Sequence, residues 1–121
     1  MALTEPDVTF MRGVADQIDG TVVTRCTGGR WMSGQGLSQD TASTMRAVQA
    51  DGTEYHLGTA IDKNNQRAMM AAQPAVLTQI AETLRSADEG TPAPLAAALL
   101  HLAQLYNTTM ALRVPEPAAT V

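Results

Sequence analysis

The chain has 121 residues and a net charge of −4, from twelve acids against eight bases. That length fits one domain, and the acidic balance excludes the clustered Lys and Arg with which proteins displace counterions from long nucleic acids. The lone cysteine, Cys26, excludes an internal disulfide and a cysteine zinc cluster.

Along the chain, TEPDVTFMRGVADQIDG predicts a first helix over residues 5–18. Thr4 stands as N-cap with Asp7 at N3, and Pro6 is tolerated in the first turn. Val8, Met11, Ala15 and Ile18 form one apolar stripe, and Gly20 ends the helix. TVVTRC is β-branched and alternating, which predicts a strand over 21–26. The stretch TGGRWMSGQG, residues 27–36, reads either as a mobile gate over a ligand or as a plain connection whose Trp31, the only tryptophan, anchors a core, and polar LSQDTAS reads as a loop.

Asp51-Gly52 is a favoured two-residue turn between alternating runs, so residues 43–49 and 54–58 are expected to form a hairpin. That turn places Val48 opposite Tyr55 and Arg46 opposite Leu57 on one face, with Ala47 and His56 on the other. Thr59 with Asp62 predicts a helix start, and Pro74 splits the following helical run into 61–72 and 74–86. Gly90 closes the second piece. Thr91 is expected to cap a last helix with Pro92 at N1, and the link 87–91 is short enough for an antiparallel helical hairpin. PLAAALLHLAQLYNTTMAL is apolar around more of its circumference than one packing face needs. RVPEPAATV reads as a fraying tail.

Chemistry is sparse. Gly29, Gly34 and Gly36 fit neither GxGxxG nor GxxxxGK[ST], so a phosphate loop of the nucleotide-hydrolase kind is excluded. Cys26, His56 and an acid make no thiol–base spacing, and His56 and His101 give no metal spacing. No catalytic residue, metal or cofactor is therefore expected. Seven of the eight bases are Arg, which suits specific anion contacts. Arg25, Arg30 and Arg46, together with the amide-rich helix start at Asn64, Asn65 and Arg67, are the candidate ligand-binding set, with Trp31 stacking on a ring. Arg46 shares a face with apolar neighbours and so needs a partner. The longest aliphatic run, Leu95–Leu100, is far short of the ~20 residues that cross a membrane, and no secretory leader is legible in MALTEPDVTF; a cytoplasmic location is the expectation.

Trp31, the Asp51-Gly52 hairpin and the helix DKNNQRAMMAAQPAVLTQIAETL together resemble the Ead-type accessory proteins of tailed phages over about residues 30–86. Asn64 or Asn65, Ala72, Pro74, Leu77 and Ile80 fill comparable places, while Ala68 and Met69 stand where the family prefers Phe and Ile. The resemblance implies a small phage protein without established catalytic residues, acting in the host cytoplasm, often against host defence.

The combined expectation is an α+β fold over residues 1–114 as a single domain with a flexible tail at 115–121. In it a small antiparallel sheet is covered by the N-terminal helix and followed by a C-terminal helical hairpin. Only four residues are aromatic, and a core so light on large side chains favours a homo-oligomer, with Leu95, Leu99, Leu102 and Tyr106 at the interface. The expected function is a non-enzymatic phage binding protein that sequesters a nucleotide-like anion or a host factor. The alternative is an interaction protein working only through helix–helix contacts. Sequestration demands cations converging with an aromatic; the alternative demands an exposed apolar patch without such a cluster.

Overall fold

The computed structural model describes residues 2–33, 44–59 and 61–117. The elements are α1 (Glu5–Gln17), a π-helical segment (Ile18–Val23), β1 (Arg30–Ser33), β2 (Met45–Val48), β3 (Glu54–Gly58), α2 (Lys63–Met70), α3 (Pro74–Ser86) and α4 (Ala93–Thr109). The fold is α+β: in chain order an N-terminal helix, a three-stranded antiparallel sheet in the order β1-β2-β3, and then three helices. Two compact units are distinguished, one from residues up to 22 with those from 78 onward, the other from residues 23–77. The boundary falls within α3.

In the first unit, α1 packs on α4. Thr4 and Asp7 form the expected reciprocal cap: the Thr4 N–H donates to Asp7 Oδ2 (2.9 Å) and the Asp7 N–H to Thr4 Oγ1 (3.3 Å). The predicted stripe Val8, Met11, Ala15, Ile18 is buried, joined by Phe10 and Val14. Each large apolar side chain removed from water there contributes about 1.5–3 kcal/mol. α1 does not end at a strand. The predicted strand 21–26 is replaced by the π-helical segment, in which the Thr21 hydroxyl donates to the Gln17 carbonyl. That bond back to the preceding turn lets a β-branched residue continue a widened helix. Asp19 is held there by Arg85, whose guanidinium also clasps Asp16, with Nη2 2.8 Å from Oδ1.

The last helix starts one residue later than expected. Pro92 is its N-cap, without a side-chain cap bond. Thr91 belongs to the preceding turn instead, where its Oγ1 accepts from the Asp88 N–H and Asp88 Oδ1 accepts from the Gly90 N–H. Ala96, Leu99, Ala103 and Asn107 are the buried positions of α4. Asn107 then fixes the chain beyond the helix. Its Nδ2 donates to the Val114 carbonyl and its Oδ1 accepts from the Val114 N–H, both at 2.9 Å. Ala111 and Arg113 turn the chain back with φ of 51° and 63°, and Val114 lands against Gly13, where an added Cβ would lie 2.9 Å from Val114 Cγ1. Residues 114–117 of the segment expected to fray lie along α1, beside Pro6, Thr9 and Phe10; residues 118–121 and the predicted loop over 37–43 lie outside the described residues.

In the second unit α2 packs on the sheet, against β1. β1 itself lies inside the stretch expected to be a loop. Gly29 opens it: at φ +90° its missing Cβ leaves room for Val48 O at 2.7 Å and Gln49 Nε2 at 2.6 Å. Gln49 Nε2 donates to the Gly28 carbonyl (2.7 Å) and ties the strand entrance to β2. The hairpin turn has three residues rather than two. The Gln49 N–H donates to Thr53 O (2.8 Å), Gly52 takes φ +87°, and Asp51 Oδ1 accepts from the Thr53 N–H (2.9 Å). The register therefore moves by one residue: Arg46 pairs with His56, Ala47 with Tyr55 and Val48 with Glu54, with an irregularity between Met45 and Arg46. Such a shift exchanges cross-strand neighbours.

Asp62, not Thr59, caps α2, accepting from the Asn64 N–H. α2 ends at Met70 and α3 begins at the buried Pro74, the predicted split. Gln73 holds the junction, with its Nε2 donating to the Met70 carbonyl (2.9 Å) and its Oε1 accepting from the Trp31 N–H (3.1 Å).

Candidate interaction surface

The expected ligand-binding residues do not share one face. Side chains alternate along a strand, so the pairs Arg30–Val48, Met32–Arg46 and Arg46–His56 put Arg30, Met32, Arg46, Val48, Glu54 and His56 together. Trp31 pairs with Ala47 on the opposite face. There its Nε1 donates to the Thr27 carbonyl (2.9 Å), an internal anchor for the strand entrance. Arg46 finds its partner in Glu54, Nε to Oε1 at 3.2 Å, a charge contact whose angle does not make a hydrogen bond.

The remaining cations are spread or engaged. Arg25 is exposed in the turn after the π-helical segment. Arg67 Nη1 donates to Asn64 Oδ1 within α2 (3.1 Å), and Asn65 is exposed. The start of α2, where free N–H groups would attract an anion, already holds the Asp62 carboxylate. A shallow groove of about 440 Å³ beside β1 is lined by Gly29, Arg30, Met32, Val48, Gln49 and Ala50, with Arg30 its one cation. Cys26 donates to the Val23 carbonyl. Among the described residues no group of three His, Cys, Asp or Glu could hold a metal ion.

α4 offers a different kind of surface. None of its seventeen residues is Asp, Glu, Lys or Arg. Besides the buried face, a second stripe runs Leu95, Ala98, Leu102, Leu105, Thr109, at alternating steps of three and four, the spacing of a helix–helix seam. Leu95 is 51% and Leu105 49% exposed. Leu102, Leu105, Tyr106 and Thr109 line a groove of about 350 Å³, and burial at its edge raises the Tyr106 phenol above its ordinary 10.0. Of the four expected interface residues, Leu95 is exposed, Leu102 and Tyr106 are half-buried, and Leu99 lies in the core. Leu105 is an addition. Its place seven residues beyond Ala98 and ten beyond Leu95 was the available signal.

No family model, curated protein or solved structure compared with the chain matches it. Among the described residues no helix is long and apolar enough to cross a membrane.

Proposed function

We propose that this is a non-enzymatic interaction protein whose working surface is the outer stripe of α4. The observation that carries the reading is a seventeen-residue helix without a charged side chain that still exposes Leu95 and Leu105 after packing on α1. Apolar area left in water costs about 25 cal/mol per Å², and a stripe at seam spacing recovers that cost against another helix. Sequestration of a nucleotide-like anion is the weaker reading, because Trp31 and the Arg30–Arg46 face point to opposite sides of the sheet. The Ead-type resemblance supports the same non-catalytic class, as a phage accessory protein in the host cytoplasm.

Photo-crosslinking in producing cells tests this. Benzoylphenylalanine at Leu105 should give a discrete adduct, while the same group at exposed Ala97, on another side of α4, should give none. No adduct at 105, or equal adducts at both positions, overturns the proposal.

A further inference from the structure

We infer that the partner of this stripe is a second copy of the chain, its α4 antiparallel to the first about a two-fold axis between Ala98 and Leu102. The inference rests on α4 being the working surface and names what covers it.

Leu102, Leu105, Tyr106 and Thr109 stand at i, i+3, i+4 and i+7, the four corners of a hole that accepts one side chain from a facing helix. The exposed side chain that fits is Leu95, at the other end of the same stripe. A knob at one end and a hole at the other, on one surface, is the condition for a two-fold contact in which each copy gives what it receives. Setting Leu95 over the hole between Leu105 and Tyr106 brings Ala98 opposite Leu102. Each central layer then pairs a small side chain with a large one, and the backbones can approach closely.

Charge selects the direction. α4 has no charge to repel an identical helix; the exposed Asp88 and Glu89 precede it, beside Arg12, and the exposed Arg113 and Glu116 follow it. A parallel copy sets Asp88 and Glu89 against the same acids of its partner; an antiparallel copy separates them and sets them toward an end that carries Arg113 with Glu116. The opposed helix dipoles favour the same direction. The footprint, about 25 Å by 10 Å on each copy, is well below the roughly 800 Å² per partner of a standard interface, so a weak dimer that forms only toward hundreds of micromolar is expected.

Sedimentation equilibrium of the full chain, from low micromolar to hundreds of micromolar, tests this. Wild type should move from monomer to dimer. Leu95→Glu and Leu105→Lys, both at half-exposed positions, should each stay monomeric with unchanged circular dichroism, weakening association by more than roughly tenfold. Mixing the two should restore dimer mass, because antiparallel pairing puts Glu on Lys. A wild type that stays monomeric overturns the inference. So does restoration by a Leu105→Glu and Leu105→Lys mixture instead, the signature of a parallel pair. A monomeric wild type whose residue-105 adduct contains another protein removes the second copy and leaves the α4 reading standing.

Discussion

Replacing Gly29 with alanine perturbs the entrance to β1 in a way the structure makes quantitative. At φ +90° an L-residue lies in the left-handed region, which costs roughly 1–2 kcal/mol. The new Cβ would sit 2.7 Å from the Val48 carbonyl and 2.6 Å from Gln49 Nε2. Gln49 can swing away, but only by giving up its bond to the Gly28 carbonyl, about another 1 kcal/mol. The Val48 oxygen is backbone and cannot leave without disturbing the β1–β2 ladder. The expected loss is therefore about 2–3 kcal/mol, a large share of the 5–15 kcal/mol by which small domains are stable. Trp31, two residues on and the only tryptophan, reports the transition by fluorescence in urea. With a slope of about 1–3 kcal/mol per molar, the midpoint should fall by roughly 1–2 M. Gly28→Ala is the internal control: nothing lies within 4 Å of its Cβ position and its φ is unremarkable, so its midpoint should hardly move. Equal midpoints for the two variants would refute the close-approach reasoning.

Arg85→Ala should cost about 1 kcal/mol, modest because the guanidinium and both carboxylates are partly exposed. Thermal melts in molar salt should shrink the difference between variant and wild type. Asn107→Ala removes both bonds to Val114, and hydrogen exchange should show the Val114 amide losing protection, with about 1–2 kcal/mol of stability lost. The Thr53 amide holds the Asp51 carboxyl below its ordinary 3.8. Its small contribution is present above that value and fades as pH falls through the lowered one, so Asp51→Asn should flatten the acid limb of the stability profile. The half-buried Tyr106 phenol has the opposite sign: its contribution is whole below 10.0 and is lost as pH rises through the raised value. Tyr106→Phe should remove that alkaline loss in a melting series.

α1 was legible because its signals agree: Thr4 and Asp7 close the cap and the stripe falls on the buried face. Pro74 marked a helix boundary for a reason local to its own ring. The hairpin was legible in place but not in register. Asp51-Gly52 suits two turn lengths, and the choice of three residues follows from the Asp51 carboxylate taking the Thr53 amide. β1 was missed because four residues carry little alternation. Its strongest marker, Gly29, acts through contact with Val48 and Gln49, some twenty residues away in sequence. Composition found the cations and the tryptophan as types, yet alternation in β1 set Arg30 and Trp31 on opposite faces. On α4 the excess of apolar surface was legible. Which stripe packs inward is decided by α1, so Leu99 was assigned to the surface and Leu105 was overlooked.

The first unit is discontinuous in the chain, and this has a consequence during synthesis. α1 is made before α4, on which it packs, with the whole second unit between them in the chain. From Ile18 to Leu99 about eighty residues must be added, which takes some 4–16 s at roughly 5–20 residues per second. For that interval α1 has no α4 to pack on. The nascent chain is then most open to chaperones and to aggregation, and a pause in translation between residues 23 and 77 would lengthen that exposure without altering the finished protein.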